Sequence, residues 1–255
     1  MSEPTVQPFR LAYVPGVTPA KWVRVWNERM PDVPIELVPV EPTAGADPLR
    51  EDVADIALLR LPLQRDGLSV IPLYTEVSVV VVPKEHVFAA VDEVSVSDLA
   101  DETVLHPLDD VLDWVALPGE EAFERPATTE DAISHVASEV GVLVTPQSLA
   151  RLHHRRDLTY RPVVDAPASQ VGLVWITDRT TDLVDEFVGI VRGRTANSSR
   201  GRRSDSEPEG ESGGTSRRGE RKGSAPKRRA PEPKTSRRAG ASARKRPGKP
   251  RRGKR

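Results

Sequence analysis

Two stretches of this 255-residue chain place a hydroxyl residue where a helix should start: Thr18-Pro19 and Thr128-Thr129. A helix start presents unpaired backbone N–H groups and the positive end of the helix dipole, so a hydroxyl beside them completes a seat for an anion. Each pair also reads as a plain N-cap. Arg60 stands inside the apolar run IALLRLPL, at the carboxyl end of a predicted strand, where open α/β sheets bind ligands. Its guanidinium could hold a carboxylate through two parallel hydrogen bonds, or serve a structural salt bridge. Sequence alone leaves both open.

Asp109, Asp110 and Asp113 follow His106 closely. Together they read either as metal or general-base groups or as a solvated acidic turn ahead of Trp114. His153-His154-Arg155-Arg156 lacks a third zinc ligand nearby. The chain has no GxGxxG, no GxxxxGK[ST] and no HExxH motif, and Gly210, Gly213 and Gly214 fall far from any predicted strand-to-helix turn. With no cysteine, disulfide and thiolate chemistry are excluded. Nothing here calls for an enzyme or a cofactor.

Alternating elements must position these residues. Phe9 to Val14 predicts a strand, Pro15-Gly16 a tight turn, and Thr18-Pro19 an amphipathic helix whose apolar face carries Trp22, Val25, Trp26 and Met30. Strands follow over Ile35 to Val40 and Val53 to Leu61, with a short helical stretch near Pro48 to Asp52 between them. Leu73 to Pro83 predicts one long strand, nearly continuous in apolar character, as where both faces are covered. Ser97 caps a short turn, Thr103 to Leu105 is a strand, and Thr128 or Thr129 caps a helix that ends at Gly141. Val142 to Thr145 is then a strand, with Pro146 opening another helix. Strands over Leu158 to Val164 and Val171 to Ile176 and a helix from Thr181 complete the pattern. Such alternation predicts an α/β fold with a mainly parallel sheet.

Charge divides the chain. Residues 196–255 hold 21 basic and 6 acidic side chains, a net +15, which leaves −16 for residues 1–195. The tail has no Val, Ile, Leu, Met, Phe, Trp or Tyr, and 24 of its 60 residues are Gly, Pro or Ser. With nothing to bury against an ordering cost of roughly 1–2 kcal/mol per residue, it is expected to stay disordered. No apolar run is long enough to cross a membrane, and the first ten residues do not resemble a secretory signal, so a cytoplasmic location is expected.

In order along the chain, FRLAYVPGVTP, PDVPIELV, DVADIALLRLP, SVVVVPKEH, VSVSDLADETVL, TTEDAISHVASEVGVLVTPQSLARL and VGLVWITDRTTDLVDEFV resemble the effector-binding domain of LysR-type transcriptional regulators. The resemblance implies a type 2 periplasmic-binding-protein-like fold of two Rossmann-like lobes joined by crossover strands. The first lobe would span residues 9–83 and 168–195 and the second 84–167, with a disordered stretch over 1–8. A small-molecule effector, often an organic anion such as a carboxylate, would lie between the lobes. Carried over, its contacts would be Gly16, Val17 and Thr18, the anchor Arg60, Thr128 and Thr129, and Val144 and Thr145 at the back of the cleft. Two such sensors often pair side by side, which makes a homodimer an expectation.

The resemblance departs at the start, because the winged helix-turn-helix with which family members begin has no counterpart in MSEPTVQP. The family's DNA-binding activity is therefore not carried over. Instead Arg244-Lys245-Arg246 and the closing Lys249, Arg251, Arg252, Lys254 and Arg255 suit non-specific, salt-dependent binding of DNA or RNA. Arg200-Gly201-Arg202 has the core of a minor-groove hook without flanking prolines. The competing readings are a tail that shields the acidic body or contacts an acidic protein, and a metabolite-binding or protein-interaction module with no DNA role.

Overall fold

The computed structural model describes residues 7–194. The readings made for the basic tail lie outside the described residues.

The strand, turn and helix expected from residue 9 form as β1 (Phe9–Tyr13) and α1 (Ala20–Arg29). The face of α1 that carries Trp22 and Trp26 is buried, as the spacing requires. Trp26 stacks on Phe9 with ring centroids 4.4 Å apart, and its indole N–H donates to Val33 O at 2.9 Å. The chain continues through β2 (Ile35–Pro39), α2 (Asp47–Arg50), β3 (Ile56–Leu61) and β4 (Leu68–Glu76). It then passes through β5 (Ser78–Pro83), β6 (Thr103–Leu105) and the two-residue β7 (Glu120–Glu121). The rest is α3 (Thr129–Ala137), β8 (Val142–Pro146), α4 (Gln147–Leu152), β9 (Leu158–Pro162), β10 (Ser169–Ile176) and α5 (Asp182–Val191).

These strands form two five-stranded sheets, ordered β2-β1-β3-β10-β4 and β7-β6-β8-β5-β9. Neither is mainly parallel. In the first, β1 runs parallel to β2 and β3, while β10 is antiparallel to β3 and β4. In the second, β6 is parallel to β7 and β8, while β5 is antiparallel to β8 and β9. The antiparallel members are those that enter a sheet from the other one.

The long strand expected over Leu73 to Pro83 is two strands in two different sheets, divided at Val77. The first lobe therefore gives way to the second at Val77, not at residue 83. The return crossing runs from β9 to β10, and the Ser78 hydroxyl ties the two crossings together by donating to Pro167 O at 2.5 Å. Periodicity could not show the break, because β5 is apolar on both faces. Val79 and Val81 pack with Ile133 and Val136 of α3, whereas Val80 and Val82 pack with Phe88, Leu99 and Val104 on the opposite face. The first lobe has one core, in which Phe9, Trp26 and Phe187 of α5 meet beneath Leu11, Leu58 and Leu173.

Some smaller expectations also change. The turn near Ser97 is a 3-10 helix capped by Ser95 through a capping box with Asp98. The helix expected to run to Gly141 ends at Ala137, and Gly141 leads into β8 beneath Thr103, where a Cβ would collide with the Thr103 carbonyl. Thr181 caps α5 as predicted, accepting from Val184 N at 3.3 Å.

Candidate functional site

In each sheet the parallel strands end on one edge. β1 and β3 deliver the Val14–Thr18 turn and Arg60 to the edge of the first sheet. β6 and β8 deliver His106, the start of α4 and, because α3 runs back against β8, the start of α3 to the edge of the second. The two edges touch. Gly16 has φ +82°, and a Cβ on it would lie 2.6 Å from Ser148 Oγ at the start of α4, so the approach demands glycine on both counts.

Arg60 completes this junction. Its side chain is 5% exposed, and its Nη2 lies 3.2 Å from Glu76 Oε2, on a carboxylate whose side chain is 6% exposed. Nε donates to Ser169 Oγ at 3.1 Å, Nη1 to Pro15 O at 3.0 Å, and Nη2 to Ser148 Oγ at 3.3 Å. Ser169 closes the ring by donating to Glu76 Oε2 at 3.2 Å. Burial pulls the Arg60 guanidinium below its ordinary pKa, and the adjacent Glu76 opposes that shift. The structural salt bridge is thus the arrangement formed. Glu76 and Ser169 are the last residue of β4 and the first of β10, one on each crossing between lobes.

The other candidates divide. Val17 is buried. Thr18 is exposed and does not cap α1, whose N-cap is Pro19 with no side-chain bond. Thr18 instead borders a groove of about 580 Å³ between α1 and β2, with Tyr13, Val23, Asn27 and Leu37. Thr128 does cap α3, accepting from Asp131 N at 3.1 Å and donating to Asp131 Oδ2 at 2.8 Å. The Thr129 hydroxyl is buried and donates to Asp109 Oδ1 at 2.9 Å. Val144 and Thr145 are both buried within the second sheet, opposite Val80 and Val79.

Among the described residues no group of three or more His, Cys, Asp or Glu is placed to hold a metal. Of the three aspartates that follow His106, Asp109 serves Thr129 and Asp110 accepts from Leu112 N at 3.0 Å. Sequence reasoning missed Glu76, Ser148 and Ser169. Only Glu76 left a trace, as the one charged residue inside the long strand expected over Leu73 to Pro83.

His106 is 5% exposed, and neither ring nitrogen finds a partner; Trp114 Nε1 is in the same condition. Pro118 O near His106 and the Asp110 carboxylate near Trp114 fall outside hydrogen-bond geometry. Burial lowers the pKa of His106 against an upward pull from Asp110, and burial raises that of Asp110. Arg125 fixes the surrounding turn by donating to His106 O at 2.8 Å and Pro107 O at 2.9 Å.

The LysR substrate binding domain model matches residues 7–196. The chain belongs to that family. Among curated relatives, the HTH-type transcriptional regulator AlsR of Bacillus subtilis is 24% identical over 183 residues, covering 66% of this chain and 59% of the relative. A probable hydrogen peroxide-inducible genes activator of Mycobacterium avium is 29% identical over 205 residues, covering 74% and 66%. The chain thus spans about three fifths of the length of the regulators it matches. Among solved structures, the BenM effector binding domain with its effector benzoate aligns with a TM-score of 0.62 at 18% identity, covering 74% of this chain and 95% of that one. The oxidized form of OxyR aligns with a TM-score of 0.60 at 20% identity, covering 73% and 95%. The fold of this LysR domain is accordingly the two-lobed, type 2 periplasmic-binding-protein-like one.

The neutral, buried state of His106 has a consequence for stability. Below about pH 6.5 the unfolded chain takes up a proton that the folded domain refuses, so stability present above that pH is lost as the pH falls. Melting temperature should therefore drop on acidification from about pH 7 to about pH 5 more steeply in the wild type than in His106→Phe. Parallel profiles for the two proteins would contradict this assignment.

Proposed function

We propose that this LysR domain senses a small molecule held between the facing sheet edges, as part of a transcription-related regulator that acts in the cytoplasm. What carries the reading is the junction of the Gly16 turn and Arg60 with Ser148, because it sets the carboxyl ends of both parallel strand groups against each other. That is where α/β sheets take ligands. Its likeness to a transcriptional regulator and to an effector-binding domain with its effector supports the same reading. Gly16 would supply a first-lobe contact and the exposed Thr128 one on the second lobe, while Val17 and Thr129 would back the site from their buried positions. In a thermal-shift screen of metabolites on the full chain, a cleft ligand should raise the melting temperature, and Gly16→Ala should reduce that rise at least tenfold in apparent affinity. A rise unchanged by Gly16→Ala would place the ligand elsewhere.

We further propose that residues 196–255 contact nucleic acid through their +15 charge, chiefly Arg244 to Arg246 and Lys249 to Arg255. Contacts of that kind displace counterions, so affinity should fall steeply with added salt and show little sequence preference. Deleting residues 196–255 should abolish a salt-sensitive gel shift on duplex DNA. An undiminished shift after deletion would exclude the tail, and absence of any shift by the full chain would favour an acidic protein partner.

A further inference from the structure

We infer that Glu76 occupies, from within the chain, the anion seat that Arg60 forms at the cleft, so that the cleft takes an uncharged or amine-bearing polar molecule and not a carboxylate. The inference rests on the cleft reading above and specifies its ligand class.

Two separate observations converge on it. On the first-lobe side, Arg60 is the cation that the strand order brings to the junction, and its charge is already matched. Glu76 lies 3.2 Å away, Ser169 bridges the pair, and Pro15 O and Ser148 Oγ take further donors. With both side chains more than nine-tenths buried, an incoming carboxylate would have to expel Glu76 and leave it unpaired away from water. On the second-lobe side, the start of α3 would attract an anion through its dipole, but the chain has satisfied it with its own carboxylates. Asp131 bonds Thr128, Asp109 accepts from Thr129, and Glu130 lies in the same first turn. Arg125, the cation beside them, is committed to the carbonyls of His106 and Pro107. The carboxylates at the start of α3 thus disfavour a second anion there and favour a hydrogen-bond donor or a cation.

The test uses the full chain labelled with nitrogen-15 arginine. It compares two probe sets at equal concentration: the carboxylates benzoate and succinate, and a set of amines and uncharged polyols headed by putrescine and glucose. In the wild type the carboxylates should leave the Arg60 Nε–H signal in place and the melting temperature unchanged, while a member of the second set raises that temperature. Glu76→Gln keeps the shape and frees the guanidinium charge, so it should bind benzoate or succinate at least tenfold more tightly than the wild type. Carboxylate binding that moves the Arg60 signal in the wild type would overturn the inference while leaving the cleft reading intact. No gain of carboxylate binding in a folded Glu76→Gln would also overturn it; should that variant fail to fold, the wild-type Arg60 signal decides. A domain that neither probe set stabilises, in either form, would remove the ligand cleft itself and the inference with it.

Discussion

The ion pair between Arg60 and Glu76 is the contact on which the arrangement of the two lobes depends. Charges buried this deeply are tolerated only when each is matched and its remaining hydrogen-bonding capacity is used. The match is made by residues at the crossings: Glu76 closes β4, Ser169 opens β10 and bridges the pair, and Arg60 joins them from β3. The same guanidinium reaches Ser148 on the second lobe. The distance between the two sheet edges is therefore fixed where the chain passes between them.

Each lobe also has an apolar core of its own. The first is held by an aromatic cluster of Phe9, Trp26 and Phe187 beneath its sheet, and the second by the alternate faces of β5, which serve two cores at once. The junction between lobes is polar by contrast, built from Arg60, Glu76, Ser148, Ser169 and the carbonyl of Pro15. Apolar burial holds each lobe together, whereas directional hydrogen bonds join the two at the junction.

Most of the fold was legible because its signals are local. The spacing of Trp22 and Trp26, the caps at Thr128 and Thr181 and the turn at Gly16 each depend on neighbours in sequence. The break at Val77 was not legible, since a strand apolar on both faces and a strand that changes sheets look alike in one dimension. The site was legible only in part. Arg60 stood out as a lone charge in an apolar run, but its partner Glu76 is 16 residues on in sequence and Ser169 is 109 away, brought to it by antiparallel pairing of β10 with β3 and β4. Thr18 was read as a cap from its proline neighbour, yet Pro19 itself takes the cap position and turns the hydroxyl outward.

The measurement closest to the centre of this account is a double-mutant cycle in denaturant with Arg60→Ala, Glu76→Ala and the double variant. Each single change strands a buried charge and should cost about 3–5 kcal/mol. The double variant should be less destabilised than the sum of the singles by about 1–3 kcal/mol. Additivity to within about 0.5 kcal/mol would show that the two residues act independently, and would contradict the role given to their pairing.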